Sequence, residues 1–359
     1  MDRRARGKRR RRVVAEAALA LTAMLAAACG SGPPPKATSH PASPTPATTS
    51  GPATPGATTP AVPPSTAPVS PSPSPLAQGV VAVVPTGSEP CASVQGGGFM
   101  WVTAYGDGEV QKIDPATNTV VATYETDGSP CGVVFVDGSV WVGSVSGEVV
   151  DQVDPATGKI LATIPAGGQV YDVQSGFGSV WIVNREGGQV RRIDPKTAKV
   201  VAKIPAGPVL YGLAVTPDGV WATSQLDNTV VRIDPKTNTR VAKIKDPHND
   251  PFTFAATPGA LWVSHADGVF AELDPKTDRF VGGVHTTPRS VGDPDAVGGS
   301  VWYPDRVTGA LLRIDPATAK VTAKVELAPG YSVAQQGFGD LWVAKYGDEG
   351  LARIDPAKV

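Results

Sequence analysis

From residue 79 onward, short hydrophobic runs alternate with polar turn sequences, and the alternation repeats about every 40 residues. One copy consists of the runs 132–136, 139–143, 149–153 and 159–164. These runs are rich in β-branched residues and are bounded by Gly, Pro, Asp or Asn. Runs of this kind are typical of β-strands joined by tight turns. The pattern therefore predicts four short strands per copy.

Two features mark the copies and count them. Trp recurs at a spacing of 40 residues with a single spacing of 41, and so does an Asp-Pro pair. The Trp residues are Trp101, Trp141, Trp181, Trp221, Trp262, Trp302 and Trp342, and the Asp-Pro pairs begin at Asp114, Asp154, Asp194, Asp234, Asp274, Asp315 and Asp355. Four strands in about 40 residues is the length of one propeller blade. The sequence predicts an all-β fold, a seven-bladed β-propeller of four-stranded blades over residues 79–359.

The last blade is expected to be closed by the first strand. Residues 80–91 align with residues 120–131, the fourth strand of the first copy and the start of the second, while the sequence ends at Val359 just after the last Asp-Pro pair. The seventh copy thus lacks its fourth strand, and residues 79–85 are predicted to supply it. Closure of this kind leaves no unpaired end in the ring.

The repeated residues are expected to be structural. Each Trp falls in the middle of a strand, where a large ring fills the wedge between blades. The Asp side chain of each Asp-Pro pair accepts hydrogen bonds from the turn backbone, and Pro fixes φ at the next position.

The amino-terminal region has the layout of a lipoprotein signal peptide. Residues 1–12 contain eight Arg or Lys, and the sixteen residues 13–28 are mostly apolar but include Glu16. That stretch is shorter than the roughly 20 residues of a membrane span. The segment Leu25-Ala-Ala-Ala-Cys29 resembles a lipobox, although Ala26 occupies the usual Leu position. We expect cleavage after residue 28 and lipidation of Cys29; an ordinary secreted protein is the alternative.

Residues 29–78 are expected to be a disordered tether. Residues 30–78 contain fifteen Pro among Ser, Thr, Ala and Gly, with few large apolar groups to bury. Without the eight cations and two acids that precede Cys29, the chain has 24 basic and 31 acidic side chains, a net charge of −7. This charge argues against nucleic acid as a partner and leaves membrane anchoring to the lipid alone. The expected location is the outer face of the cell membrane.

One family resembles this chain over residues 79–359. The segment Val110-Gln-Lys-Ile-Asp-Pro-Ala-Thr-Asn-Thr-Val-Val-Ala-Thr, followed by Gly-x-Pro and an Asp-Gly turn, is similar to the YVTN/YncE-like seven-bladed propellers. The resemblance implies the fold, whereas members of that family differ in what they bind. Streptogramin lyases share the blade pattern, but their paired catalytic His arrangement has no match here.

Candidate ligand-binding residues lie where the copies differ, at two connections per blade that are expected to reach the upper end of the central channel. The connection from the second to the third strand contributes Tyr105, Asp107, Asn184, Arg185, Gln225, Asp227, His265, Asp305, Arg306, Lys345 and Tyr346. The connection from the fourth strand into the next blade contributes Tyr171, Tyr211, Phe252, Asp293 and Asp295. Aromatic rings beside amides and charges suit a small polar ligand, a glycan or a peptide. A solvated rim without a ligand is the alternative.

Imidazole and carboxylate groups concentrate around blade five. They are His248, His265, His285, Asp250, Asp293 and Asp295. If they converge, they could hold a divalent metal or act as acid and base, although their spacing matches no metal motif.

A pair of cysteines is expected to staple the first two blades. Cys91 and Cys131 each lie ten residues before the Trp of their blade. Equivalent positions on neighbouring inner strands come within reach of a disulfide, which forms outside the cytoplasm. Buried free thiols are the alternative.

Two functional hypotheses remain. The first is a non-enzymatic, monomeric envelope lipoprotein without a cofactor, which binds a small polar ligand, a glycan or an envelope protein through the upper-face loops. The second is an extracytoplasmic lyase or hydrolase, similar to streptogramin lyases, that uses the His/Asp group of blade five. The sequence contains no nucleophile elbow, zinc-protease helix or phosphate-binding loop, which favours the first.

Overall fold

A computed structural model describes residues 76–359 of the chain. The predicted signal peptide, the lipidated Cys29 and nearly all of the predicted tether lie outside the described residues. Within residues 76–359, no helix has the length and apolar composition that a membrane span requires.

The described residues form seven four-stranded antiparallel sheets. In chain order the strands are β1 (Val80–Ser88), β2 (Pro90–Gly96), β3 (Phe99–Ala104), β4 (Glu109–Asp114), β5 (Thr119–Glu125), β6 (Pro130–Val136), β7 (Ser139–Ser144), β8 (Val149–Val153), β9 (Ile160–Pro165), β10 (Val173–Gly176), β11 (Ser179–Asn184), β12 (Gln189–Asp194), β13 (Lys199–Pro205), β14 (Leu210–Thr216), β15 (Gly219–Ser224), β16 (Thr229–Asp234), β17 (Thr239–Lys245), β18 (Pro251–Thr257), β19 (Ala260–His265), β20 (Val269–Asp274), β21 (Arg279–His285), β22 (Asp295–Val297), β23 (Ser300–Asp305), β24 (Ala310–Asp315), β25 (Lys320–Glu326), β26 (Tyr331–Gly337), β27 (Asp340–Lys345) and β28 (Glu349–Ile354). A single-turn 3-10 helix follows at Pro356–Lys358.

The sheets form a closed seven-bladed propeller, which confirms the predicted fold. Blade 1 contains β2 to β5, and each later blade takes the next four strands. Blade 7 contains β26, β27 and β28, with β1 added antiparallel to β28 as its outer strand. The predicted closure of the last blade by the first strand is therefore confirmed. The first strand of each blade lies innermost, and β2 packs beside β26 where the ring closes.

The two ends of the ring carry different connections. We call the end with the turns between second and third strands, and with the connections into the next blade, the upper face. The lower face carries the turns between first and second strands and the Asp-Pro turns between third and fourth strands.

The seven Trp side chains lie between blades and are fully buried. Trp181 of blade 3, for example, packs against Val220 and Ile233 of blade 4. Its Nε1 donates to the carbonyl of Gly176 at 3.0 Å. Truncation of a buried Trp to Ala typically costs about 3–5 kcal/mol, so this ring of indoles is a main source of inter-blade stability.

A ring of cations on the lower face joins each of five blades to the next. We call these residues the inter-blade cations: Lys112, Arg192, Arg232, Arg313 and Arg353. Each lies two residues before an Asp-Pro pair, with its charged group 5.0–5.5 Å from the Trp ring of its own blade. Each donates to a backbone carbonyl of the following blade. Charge-assisted bonds over an aromatic face are strong contacts, which makes this ring a lock between blades.

The Asp-Pro turns are built as the sequence predicts. The Asp194 side chain accepts the Lys196 N–H at 2.9 Å and the Thr197 hydroxyl at 2.9 Å. These bonds lower the pKa of the Asp194 carboxyl, the Lys196 N–H most of all. The carboxylates of Asp234 and Asp274 make the same contacts.

Candidate functional site

The inner strands surround a cavity of about 350 Å³ in the channel. Its lining includes Cys91, Cys131, Tyr171, Tyr211 and Asp293, which come from blades 1, 2, 3, 4 and 6. Small-molecule sites typically enclose about 300–1,000 Å³, so this cavity lies at the lower end of that range.

Three aromatic rings form a row on one side of the channel. The position ten residues before each Trp is occupied, in blade order, by Cys91, Cys131, Tyr171, Tyr211, Phe252, Gly292 and Ser332. The ring centroids of Tyr171 and Tyr211 are 5.1 Å apart, and those of Tyr211 and Phe252 are 4.8 Å apart. The row ends at Gly292, where a Cβ would lie 2.1 Å from the Pro304 carbonyl oxygen. Three of the seven positions in this ring are thus aromatic, and the position after them has no room for a side chain.

The other side of this ring carries a disulfide between Cys91 and Cys131, whose Cα atoms are 5.0 Å apart. The two cysteines pack with Val145, and Tyr105 and Tyr171 lie against this small cluster. The bond joins the inner strands of blades 1 and 2.

A second ring of variable residues lies above the first. The fourth residue after each Trp is, in blade order, Tyr105, Val145, Arg185, Gln225, Ala266, Arg306 and Tyr346. The Arg185 guanidinium lies 5.3 Å from the Tyr171 ring and 5.2 Å from the Tyr211 ring. Arg306 lies 6.0 Å from the Tyr346 ring, which meets Tyr105 edge-on at 6.1 Å. We call these two rings of residues together the channel mouth.

Gln225 belongs to the same ring and is only 7% exposed. Neither its amide nitrogen nor its amide oxygen has a hydrogen-bond partner among the described residues. A buried amide without partners is costly, so it is expected to bond to a molecule that enters the mouth, water included.

The residues that directly precede Arg185 and Arg306 in the chain, Asn184 and Asp305, hold loops together. Asn184 is buried, and its amide nitrogen donates to the carbonyls of Ala166 and Gly167 while its oxygen accepts the Gly187 N–H at 2.8 Å. Asp305 is also buried and accepts the hydroxyls of neighbouring loop residues. These two candidate ligand-binding side chains are engaged within the protein.

Three further candidates at the loop ends are paired with other residues of the protein. Lys345 lies 2.5 Å from the Asp348 carboxylate. Asp107 accepts the Ser88 N–H and hydroxyl at 2.8 and 2.7 Å. Asp227 pairs with Lys243 at 2.6 Å.

Two carboxylates line the same cavity as Tyr171 and Tyr211. Asp172 of blade 3 and Asp293 of blade 6 both lie nine residues before a Trp. Burial raises the pKa of Asp172 to about 6 and that of Asp293 to about 7, and the charge of Asp172 adds to the rise at Asp293. Burial also raises the pKa of the Tyr211 phenol, with Asp293 contributing. The channel therefore contains two carboxyls whose protonation changes near neutral pH.

Blade five contains a buried His–Asp pair instead of an open imidazole. His265 is fully buried, with Nε2 2.9 Å from Asp246 and Nδ1 3.1 Å from the Val269 carbonyl. His248 lies beside it, with ring centroids 5.0 Å apart, and its Nδ1 is 3.6 Å from Asp267. Both nitrogens of His265 face acceptors within the protein, so neither is free to act on a substrate or bind a metal.

The remaining members of the blade-five group lie apart. His285 is exposed on the outer strand β21, opposite Val269. Asp295 accepts the Gln336 N–H at 2.7 Å and thereby joins blade 6 to blade 7. Burial raises the pKa of Asp250, and Arg185 opposes the rise. Within residues 76–359, no three His, Cys, Asp or Glu side chains are arranged to hold a metal ion.

Neither the protein-family models nor the curated proteins contain a match to this chain. The fold places it among seven-bladed β-propellers. The channel mouth is built from positions whose residues differ from blade to blade.

Proposed function

We propose that this protein is a non-enzymatic binding protein that takes a small polar ligand, a glycan or a segment of an envelope protein in the channel mouth. One observation carries the proposal. Tyr171, Tyr211 and Phe252 form an aromatic row beside the Arg185 guanidinium, and Tyr171 and Tyr211 line one cavity together with Asp172 and Asp293.

The chemistry of the mouth matches such ligands. Aromatic faces bind flat apolar surfaces, including sugar and peptide faces, while Arg185 and Arg306 provide donors for negative or carbonyl oxygens. The carboxyls of Asp172 and Asp293 can donate or accept, because their pKa values lie at about 6 and 7. The unpartnered amide of Gln225 adds one donor group and one acceptor.

The proposal is tested by capture from envelope extract. The immobilised protein is compared with a variant that combines Tyr171→Ala, Tyr211→Ala and Phe252→Ala, and eluted small molecules, glycans and proteins are identified by mass spectrometry. Three aromatic contacts at about 0.5–1.5 kcal/mol each predict at least a tenfold loss of the bound component. The matched control carries Val→Ala changes at three exposed outer-strand positions, Val201, Val241 and Val281. Equal recovery by both folded variants would remove the channel mouth as the binding site.

We also propose that the chain is a YVTN/YncE-like propeller held at the outer face of the cell membrane by lipid on Cys29. The Trp and Asp-Pro spacing supports the family, and the sequence around Cys29 supports the anchor. Metabolic labelling with a fatty acid should mark the wild-type protein and not Cys29→Ser, which should appear in the soluble fraction. Labelling of Cys29→Ser would contradict the anchor without affecting the binding proposal.

A further inference from the structure

The inter-blade cations form a repeated contact with two exceptions. In blade 4, Arg232 lies opposite Trp221 in the sheet and donates to the Pro275 carbonyl of blade 5 at 3.0 Å. The equivalent residue is Gln152 in blade 2 and Glu272 in blade 5. Glu272 likewise lies opposite Trp262 in its sheet. At the interface between blades 5 and 6, a carboxylate therefore occupies the position that holds a cation in five other blades.

At three interfaces the cation also bonds to a side chain of the following blade. Arg232 reaches Asp278 at 3.0 Å, and Arg192 reaches Asn238 at 3.0 Å. The residue in the same turn of blade 6, opposite Glu272, is Ala319. At this interface the cation and the side-chain acceptor are thus both absent, while the backbone carbonyl of Pro316 remains.

A cavity of about 560 Å³ lies where the cation would be. Glu272, Thr257, Gly298 and Pro316 are among its lining residues, and Pro316 belongs to the Asp-Pro turn whose equivalents accept the inter-blade cations. Gly298 and Gly299 contribute no side chain that could close it.

Glu272 is unpaired within this cavity. Among residues 76–359 it has no hydrogen bond and no ion pair with a Lys, Arg or His. Burial raises its pKa and Asp274 adds to the rise, with no cation acting in the opposite direction. The buried Nε1 of Trp262 also lacks a partner, whereas the indole N–H of five other blades is bonded.

We propose that the cavity at the blade 5–6 interface binds a guanidinium group, held between the Glu272 carboxylate and the Pro316 carbonyl. At five other interfaces the corresponding space is filled by a cation of the chain itself, and four of those five cations are arginines. A planar guanidinium forms parallel bonds to a carboxylate and lies flat against apolar surface, which an ammonium group does less well. This site lies on the lower face and is independent of the channel mouth.

The indole N–H signals of the seven Trp provide a direct test by ¹H–¹⁵N NMR. The ¹⁵N-labelled protein is titrated with N-acetyl-arginine methylamide, with methylguanidinium, and with the lysine and citrulline analogues of the first. The Trp262 signal, assigned from Trp262→Phe, should shift with the guanidinium compounds, at least tenfold less with lysine and not with citrulline. Tighter binding of the arginine derivative assigns the site to a peptide side chain, and equal binding of methylguanidinium assigns it to a free guanidine.

Two variants test whether the Glu272 carboxylate binds the guanidinium group. Glu272→Gln keeps the shape and removes the charge, so it should weaken guanidinium binding at least tenfold. Glu272→Arg should abolish binding by supplying the missing cation, and it should raise the unfolding temperature. The Trp141 signal of blade 2, where Gln152 replaces the cation, should not respond. An unchanged titration of Glu272→Gln, or equal shifts at all seven indoles, would overturn the proposal.

Discussion

The lower and upper faces of this propeller differ in how similar their residues are from blade to blade. On the lower face, the position two residues before Asp-Pro carries Lys or Arg in five blades, and each cation bonds to the following blade. On the upper face, the fourth position after Trp carries Tyr, Val, Arg, Gln, Ala, Arg and Tyr. A contact that recurs at five of the seven interfaces requires similar residues at each of them. Where residues differ, the ring itself does not require them, and they are free to form a site.

Two arginines of blade 3 show the contrast within seven residues of sequence. Arg192 donates to Ser179, Pro235, Asn238 and Phe177 at 2.7–3.0 Å. Arg185 makes one long bond of 3.4 Å to the Leu210 carbonyl and otherwise lies over Tyr171 and Tyr211. The first arginine is fixed by the scaffold, and the second is available to a ligand.

The largest effect expected from a single substitution tests whether some upper-face residues belong to the scaffold. His265→Leu should lower the free energy of unfolding by about 3–5 kcal/mol, because it leaves the Asp246 carboxylate buried without its partner. Urea unfolding at neutral pH measures this loss. Addition of Asp246→Asn, which removes the orphaned charge, should recover part of it. If His265→Leu is as stable as wild type but loses ligand, His265 belongs to the site.

The channel acids provide a second contrast, through pH. The turn carboxylates such as Asp194 have a lowered pKa, whereas those of Asp172 and Asp293 are raised to about 6 and about 7. A raised carboxyl pKa means that the folded state binds the proton more tightly than the unfolded state, whose Asp pKa is about 3.9. The stability from Asp172 and Asp293 is thus fully present below about pH 4 and is lost as pH rises through about 6 and 7.

Comparison with Asp172→Asn/Asp293→Asn isolates this dependence. The wild type should lose on the order of 6 kcal/mol relative to the variant between pH 4 and pH 8, because the two pKa values, about 6 and about 7, lie roughly 2 and 3 units above the unfolded value and each unit corresponds to about 1.4 kcal/mol. Urea unfolding of both proteins at several pH values gives the difference. A difference that does not change with pH would show that these carboxyls are not perturbed by folding.

Much of the scaffold could be predicted because the same sequence features recur in every blade. Seven Trp and seven Asp-Pro pairs fixed the blade count, and the alignment of residues 80–91 with residues 120–131 located the closing strand. The inter-blade cations escaped notice, although their signal was present: Lys or Arg two residues before Asp-Pro in five copies. Each cation bonds to a carbonyl of the following blade, and the sequence of one copy does not show which residues of the next blade lie beside it.

The candidate site could be predicted only as a set of loops. Side chains of neighbouring residues point in different directions where a strand ends. The Asn184 side chain is bonded within its loop, whereas the Arg185 guanidinium lies over the Tyr171 ring. The sequence does not distinguish these two orientations. Asp172 was missed, although its equivalence to Asp293, nine residues before a Trp, was visible.

The smallest expected effect concerns the interface between blades 5 and 6, which lacks an inter-blade cation. Ala319 has a φ of +51°, a left-handed conformation that Asn118, Asn238 and Asp278 occupy in equivalent turns. Alanine is strained there, while Asn and Gly adopt this region more readily. Ala319→Asn should therefore raise the free energy of unfolding by about 0.5–1 kcal/mol, measurable by urea unfolding. A loss of stability would mean that packing around Ala319 outweighs its backbone strain.

The most direct test of the contrast between the two faces measures stability and ligand capture on the same pair of variants, Arg185→Met and Arg192→Met. We expect Arg192→Met to lose about 2 kcal/mol of unfolding free energy and to keep full capture from envelope extract. Arg185→Met should unfold within about 0.5 kcal/mol of wild type and lose most of the captured component. The reverse outcome, with capture dependent on Arg192 and stability on Arg185, would contradict the assignment of the upper ring to binding and the lower ring to the scaffold.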